Sequence, residues 1–278
     1  MEAGSARITA TLADRVLDAT IDEMLLYGGN GRGAVRMDAS GETPAIEASL
    51  QLEDVAALEL LQDAAGFDWI AGKGRVSLAV TGHGRSELEI VRALDGKAEF
   101  AFRDGALVGF DVPGMINGLH QGRIPRLERD KSDRTSFKQL SASFTINDGV
   151  AENRDLRLES SLMQVTGSGK ADLPRRIIDY MARPKLLAAA SAQGGGQSPP
   201  GFELPIRITG SWDRPEFAAD FDSVLKNPDE AIQAAKEIGK RIKSKDLKEA
   251  LRGFLNEEDD PNSTKQKARD LLRQFIKP

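Results

Sequence analysis

The chain has 278 residues, of which 29% are charged and 40% hydrophobic, so it is long and apolar enough to fold around a sizeable core. Its net charge of −5, with only two Tyr and two Trp, argues against a nucleic-acid-binding protein, which would neutralise phosphates and stack bases on aromatic rings. The absence of cysteine excludes disulfides, thiolate catalysis and cysteine-based zinc sites, and leaves both the cytosol and a periplasm open.

The sequence shows neither the pattern of a membrane-spanning segment nor that of a signal peptide. No run reaches the roughly 18 apolar residues that span a bilayer, and Leu186–Ala190 comes nearest. Met1–Ser5 lacks the basic start and apolar stretch of a signal peptide, and strand-like alternation begins by Arg7. We expect the chain to be a piece cut from something longer.

The first half of the chain alternates apolar and polar residues, which predicts antiparallel strands with one buried face. A change to helical spacing predicts a helix within Asp54–Ala65 that ends at Gly66. Ser86 is expected to cap a short helix to Leu94, with Glu89 in the capping-box position. The predicted strands are Arg7–Leu12, Leu17–Asp22, a strand marked by Val35 and Met37 after the Gly28–Gly31 break, Ile46–Leu52 and Arg75–Thr81.

A segment in the middle of the chain repeats after 44 residues. Gly96–Val112 and Leu140–Leu156 align so that Asp104-Gly105 coincides with Asp148-Gly149. Asp-Gly is a strong signal for a two-residue hairpin turn, because glycine adopts positive φ at little cost. The sequence therefore predicts two similar hairpins and a fold built by stacking such units.

The second half mixes further strands with helices and one low-complexity stretch. Leu173–Ala182 fits a helix through the spacing of Ile177, Ile178 and Met181. The other predictions are a short helix at Met115–Leu119, a charged connector at Arg126–Arg134, strands at Leu162–Lys170 and Leu204–Trp212, a flexible loop at about 188–203, and helices from Asn227 onward.

The last 53 residues form charged amphipathic helices with a net charge of +3, against −8 for the rest of the chain. Packing of their apolar stripes over a sheet is the favoured interpretation, because helices usually bury such faces within the molecule. Binding to an anionic membrane surface is the alternative.

No pattern of catalytic residues or metal ligands emerges. His83 and His120 are 37 positions apart and lack the paired spacing of a zinc site. The glycines around Lys73 and His83 lack the rest of a phosphate-binding loop, and Glu257–Asp260 lacks the ligand spacing of a calcium loop. We read the chain as non-enzymatic, without cofactor or metal, and retain an unrecognised hydrolase only as a minor alternative.

Three stretches resemble the C-terminal part of the AsmA family of bacterial envelope proteins. Leu94–Val112 resembles the family's L-x-G segment followed by D-G-x-apolar-x-G-apolar-D. Phe137–Gly169 carries Asn147-Asp-Gly-Val, Asp155-Leu156-x-Leu158 and Gly167-x-Gly169, and Leu204–Pro215 resembles the family's closing strand. Together the three stretches cover roughly Ala71 to Asp220.

The resemblance implies the periplasmic domain of a protein anchored in the inner membrane of a Gram-negative bacterium. The N-terminal transmembrane helix that the family implies as its membrane anchor is missing from this sequence, which fits a fragment. The family resembles bridge-like lipid-transfer proteins, whose sheet forms a long apolar groove, and its members are implicated in outer-membrane assembly and phospholipid movement.

The predicted fold is therefore mainly β with accessory helices (α+β). A curved antiparallel sheet of repeated hairpins forms an AsmA-like β-groove over residues 1–225, and residues 226–278 form a helical segment. The predicted function is non-enzymatic binding of phospholipid acyl chains in support of phospholipid transport and outer-membrane biogenesis. The alternative is an envelope scaffold that acts through envelope proteins, with a closed core filled by its own helices. The residues predicted to contact lipid are Ile46, Leu50, Val76, Leu78, Val80, Phe100, Phe102, Phe144, Ile146, Leu156 and Leu158, with Ala48 between the first two.

Overall fold

The computed structural model describes residues 3–111, 130–161, 163–187 and 205–219. The predicted helix at Met115–Leu119, most of the charged connector, the loop at 188–203 and the helical segment 226–278 lie outside these residues. The strands are β1 Ala3–Ala13, β2 Val16–Leu26, β3 Gly29–Asp38, β4 Ala45–Ala56, β5 Ile70–His83, β6 Asp95–Val108, β7 Arg134–Asn147, β8 Val150–Glu159, β9 Met163–Asp172, β10 Ile177–Leu186, β11 Ile206–Ser211 and β12 Glu216–Ala219, and the helices are α1 Ala57–Ala65 and α2 Glu87–Arg92.

All twelve strands form one curved, open antiparallel sheet in which every strand pairs with its neighbours in the chain. Strands account for 69% of the described residues, which confirms the mainly β prediction. Connections of two to six residues join seven of the eleven neighbouring pairs of strands. Longer connections, two of which carry α1 and α2, join β4 to β5, β5 to β6, β6 to β7 and β10 to β11.

The register places the apolar residues of neighbouring strands opposite one another. Directly paired residues of an antiparallel sheet point to the same face. Leu50 of β4 pairs with Leu78 of β5, which pairs with Ala98 of β6, and Ala98 pairs with Phe144 of β7. We call this side of the sheet the front face, and the opposite, mostly polar side the back face.

The two helices follow β4 and β5 and agree closely with the predicted ones. Helix α1 ends at Gly66, whose φ of 75° is left-handed and whose N–H donates to the carbonyl of Gln62. Ser86 caps α2 by accepting a hydrogen bond from the Glu89 N–H, at 3.3 Å. The Glu89 carboxylate in turn accepts a hydrogen bond from the backbone N–H of Arg85. A capping box would place this bond on the N–H of Ser86, one residue later.

The buried side chains form two clusters under α1. The larger joins Ala57 of α1 to front-face side chains of β6, β7, β8 and β9, among them Phe102, Leu158 and Met163. The smaller contains Tyr27, Leu52 and Val55, and Leu60 of α1 packs against it. One end of the front face is therefore covered by the chain's own helix.

The strands bend at places where the alternation breaks for two consecutive polar residues. At each break both polar residues are exposed. The next front-face residue then comes one position later than strict alternation would place it. An extra residue of this kind is a β-bulge, which bends the strand and increases its twist. Breaks with a register shift occur at Asp22-Glu23, Glu53-Asp54, Arg103-Asp104 and Arg154-Asp155. Lys138-Gln139 shows the same exposure pattern opposite Arg103-Asp104, without a register shift between β6 and β7.

The predicted turn at Asp104-Gly105 is wrong. Strand β6 runs without interruption from Asp95 to Val108, and Gly105 pairs with Phe137 of β7. Asp104 does adopt a left-handed φ of 49°, but it does so within a bulge. The Phe137 ring packs directly on the backbone of Gly105, because a Cβ added to Gly105 would lie 2.3 Å from the Cζ atom of that ring. The aligned pair Asp148-Gly149 forms the predicted turn, with φ of 46° and 72° between β7 and β8.

The predicted helix at Leu173–Ala182 is also wrong. Residues 173–176 form a turn and β10 starts at Ile177. Ile178 and Tyr180 pair with Ala171 and Gly169 of β9. The same segment therefore fits the two-residue spacing of a strand as well as the spacing of a helix. The turn is fixed by Asp172, whose carboxylate accepts a hydrogen bond from the Arg175 N–H at 2.9 Å. Sheet pairing on both sides of β10 overrides the local pattern.

Candidate functional site

All eleven residues of the sequence-based site lie on the front face of the sheet. The pairing runs from Ile46 and Leu50 on β4 to Val76, Leu78 and Val80 on β5. It continues through Phe100 and Phe102 on β6, Phe144 and Ile146 on β7, and Leu156 and Leu158 on β8. Contact of these residues with lipid stays a prediction; their shared face is an observed feature of the sheet.

Burial separates these residues into two groups. Phe102, Ile146 and Leu158 are at most 4% exposed, and the first and last belong to the cluster under α1. Their side chains are core in this conformation and offer no surface to a ligand. The other eight are half-buried, namely Ile46, Leu50, Val76, Leu78, Val80, Phe100, Phe144 and Leu156.

The most exposed apolar side chains of the front face lie on strands that the sequence-based site omits. Leu12 and Ile8 of β1 are 74% and 58% exposed, and Met37 of β3 is 41% exposed. Register places all three on the front face, because Leu12 pairs with Leu17, Leu17 with Met37, and Met37 with Ile46. Their alternating pattern was the available signal, since it predicted these strands correctly.

A polar network interrupts the front face at β8 and β10. The Asn153 side chain is 1% exposed and donates to the Ser143 carbonyl and to Asp155 Oδ1, both at 2.7 Å. The Tyr180 hydroxyl donates to Asn153 Oδ1, and its ring lies over the glycines of β9. Burial, with a smaller contribution from the Asp155 charge, raises the pKa of Tyr180 well above its usual range. Its hydroxyl therefore stays protonated and serves as a donor.

Asp155 anchors this network from the bulge in β8. Its carboxylate accepts hydrogen bonds from the Ser143 N–H at 2.8 Å and the Ser143 hydroxyl at 2.6 Å. Burial alone would raise its pKa, but the hydrogen bonds from Ser143 and Asn153 outweigh this and hold the pKa below its ordinary value. The arrangement fixes the register between β7 and β8.

Replacing Asp155 by alanine is expected to lower the free energy of unfolding by about 1–3 kcal/mol, because it leaves the buried Asn153 amide with one acceptor fewer. A depressed folded-state pKa stabilises the fold above the unfolded-state pKa and loses that effect as the pH falls through the folded-state value. The difference between wild type and variant in urea denaturation should therefore shrink from about pH 5 towards pH 3. A difference that grows towards low pH would contradict this assignment.

The back face has the opposite character, with cross-strand ion pairs in place of apolar ladders. Arg36 donates to both carboxylate oxygens of Asp18 at 2.8 Å, and Arg207 pairs with Asp179 at 3.0 Å. Such exposed pairs add little stability but keep this face polar. The two faces therefore differ sharply in the partners they suit.

One cavity of about 310 Å³ lies at the ends of β3 to β6, lined mainly by back-face residues such as Arg36, Glu47, His83 and Asp95 and also by Ile46 and Gly82 of the front face. His83 is exposed there, and His120 lies outside the described residues. No group of three or more His, Asp or Glu side chains in the described part of the chain could hold a metal ion.

The sheet and its apolar face agree with a comparison against known protein families. The family model described as "AsmA family" matches residues 20–156, from β2 to β8. Over these residues the chain belongs to the AsmA family. This confirms the resemblance drawn from the sequence. The matched segment begins about fifty residues before the predicted one and does not include the closing strand at Leu204–Pro215.

AsmA-family membership associates the chain with the bacterial envelope, and its open β-sheet fits a family concerned with envelope biogenesis and lipid transfer. No curated protein and no solved structure matches the chain significantly. Neither helix in the described residues has the length and apolar character needed to cross a membrane.

Proposed function

We propose that this AsmA-family chain is a non-enzymatic periplasmic module, part of a protein anchored in the inner membrane. In this proposal its front face binds the acyl chains of phospholipids and so supports phospholipid transport and outer-membrane biogenesis. The observation that carries the proposal is the apolar face shared by successive strands, on which Ile8, Leu12 and Met37 are 58%, 74% and 41% exposed.

The energetics of the face favour an alkyl partner. Soluble proteins rarely expose a contiguous apolar surface unless it meets a ligand, a membrane or another protein. Burying one methylene group is worth about 0.8 kcal/mol, so ten methylenes gain on the order of 8 kcal/mol before entropy losses. The described front face offers few polar groups, and those of Asn153 and Tyr180 are already hydrogen-bonded to each other, to Ser143 and to Asp155. Alkyl chains need no such groups, whereas most other ligands do.

The packing of helix α1 on the front face favours a second candidate function, that of an envelope scaffold. Ala57 is fully buried against front-face side chains, so part of the face is closed core. If the closed part dominates, the chain acts as an envelope scaffold through protein contacts and carries no lipid. The exposed side chains of β1 and β3 favour lipid binding over this alternative.

Native mass spectrometry of the protein, expressed in a Gram-negative bacterium and purified without detergent, tests the proposal. We expect mass above that of the 30.1 kDa chain, in steps equal to phospholipid masses. Solvent extraction of the same sample should recover phospholipid in a fixed ratio to protein. Protein that carries no lipid and takes up none from phospholipid vesicles would support the scaffold instead.

A further inference from the structure

One row of directly paired front-face residues crosses all twelve strands and ends against the middle of the molecule. Its last member, Phe217 of β12, lies six strands from β6, a distance of about 29 Å in a flat sheet. The Phe217 ring centroid is nevertheless 5.2 Å from that of Phe110, which follows β6. The sheet therefore curls its front face inward between β6 and β12. The row consists of Ile8, Ile21, Gly33, Leu50, Leu78, Ala98, Phe144, Asn153, Gly169, Tyr180, Ile208 and Phe217.

The turn between β11 and β12 meets the C-terminal end of α1. The Trp212 ring lies 6.3 Å from that of Phe67, and the Trp69 ring lies 5.6 Å from the same ring. The Asp213 carboxylate is adjacent to Gly66, because a Cβ added to Gly66 would lie 2.9 Å from its Oδ1 atom. We call β11 and β12, Ile206–Ala219, the closing arm. The rings that it brings together form the aromatic contact, which consists of Phe67, Trp69, Phe110, Trp212 and Phe217.

The closing arm and α1 together enclose the front face of β6 to β9. Phe102, Leu158 and Met163 are at most 3% exposed in the cluster that Ala57 of α1 joins. The arm meets the other end of the same helix. In this conformation the apolar side chains of that part of the front face offer no surface to an acyl chain.

The aromatic contact contains two polar groups that it leaves unpaired. The indole Nε1 atoms of Trp69 and Trp212 are both buried, and neither has a hydrogen-bond partner in the described part of the chain. A buried donor without an acceptor loses the hydrogen bond that it makes to water. Strand β12 holds the arm weakly, since it has four residues, all paired with β11. Ring packing therefore favours the closed arm, and the two unpaired donors oppose it.

We infer that the closing arm is a lid, which moves away from Phe67 and Phe110 to admit an acyl chain to the front face of β6 to β9. This inference rests on the proposed function and adds how the site opens. Opening exposes the apolar surface of the aromatic contact, which an acyl chain then covers. Lipid therefore binds the open state better than the closed state and shifts the population towards it. Both indole N–H groups gain access to water or to a lipid ester oxygen.

A cross-link between α1 and the closing arm tests the lid. The chain has no cysteine, so a Gly66→Cys, Asp213→Cys variant carries one thiol pair at this contact. Oxidation, or bridging with a short bifunctional thiol reagent, locks the arm, and thiol titration confirms the lock. Locked and reduced protein are incubated with vesicles of phosphatidylcholine brominated on its acyl chains, which are then removed by centrifugation. Because locking removes the competent state, we expect the locked form to take up about tenfold less phospholipid than the reduced form.

Tryptophan emission of the wild type gives a second readout that needs no substitution. Both tryptophans of the chain belong to the aromatic contact, and bromine quenches fluorophores that it contacts. We expect wild-type protein loaded with brominated lipid to lose most of its tryptophan emission relative to protein loaded with unbrominated lipid.

The remaining outcomes separate the lid from the proposed function. Equal uptake by the locked and reduced forms, or uptake by the wild type without quenching of its tryptophans, would overturn the lid and leave lipid binding intact. Wild-type protein that carries no phospholipid, both as purified and after incubation with the vesicles, would overturn the proposed function and the lid with it.

Discussion

Replacing Phe102 by alanine is expected to lower the free energy of unfolding by about 3–5 kcal/mol, because a large ring leaves a cavity that its neighbours fill only in part. Phe102 is 1% exposed, stacks on Phe100 with ring centroids 4.9 Å apart, and lies in the cluster under α1. For a domain stable by about 5–15 kcal/mol, such a loss is a large part of the total. Urea denaturation followed by circular dichroism measures it.

Leu12→Ala is the matched control for this variant. Leu12 lies on the same face but is 74% exposed, so its truncation should change the free energy of unfolding by less than about 0.5 kcal/mol. Equal effects of the two substitutions would mean that Phe102 is not part of a closed core. The pair therefore locates the boundary between the core and the open part of the front face.

Much of the fold could be predicted from local pattern. The alternation of Ile8, Ala10 and Leu12, repeated in later strands, determines which side of each strand is apolar, and short connections favour the pairing of most neighbouring strands. The residues of the sequence-based site were chosen from the same alternating pattern. The register shows that they share one side of the sheet.

The errors came from places where one local signal supports two structures. Asp104-Gly105 has the chemistry of a hairpin turn, but Phe137 covers it and β6 continues. Left-handed φ suits a bulge as well as a turn, and only the pairing on both sides decides between them. Ile177, Ile178 and Met181 fit a helix, but β9 and β11 supply partners for a strand.

The division of the front face into core and open surface could not be read from sequence. Phe100 and Phe102 lie two positions apart on the same apolar face of β6, yet Phe102 is 1% exposed in the cluster under α1 and Phe100 is half-buried. The difference depends on where α1 packs and on how far the bulges curl the sheet. The doubled polar residues, such as Glu53-Asp54, mark those bulges and are a signal that sequence analysis can use.

The lipid proposal predicts a large effect from three substitutions of exposed apolar side chains on β1 and β3. Replacing Ile8, Leu12 and Met37 together by glutamine puts three amide groups against an alkyl chain. At about 1 kcal/mol for each amide desolvated without a partner, binding weakens by about 3 kcal/mol, which is roughly a hundredfold in affinity. The fold should be unaffected, because all three side chains are at least 41% exposed.

The matched control carries the same substitution at Thr9, Thr11 and Ala34, exposed residues of the back face on the same two strands. Both variants gain only neutral amide groups, so charge does not differ between them. Unfolding in urea should give each a stability close to that of the wild type.

Phospholipid phosphorus per mole of protein, measured on the wild type and these two variants after identical detergent-free purification, tests the acyl-chain-binding face most directly. We predict that the front-face variant loses most of its phospholipid, while the back-face variant keeps the wild-type amount. Equal phospholipid in both variants, or equal loss from both, would show that the apolar face does not bind lipid.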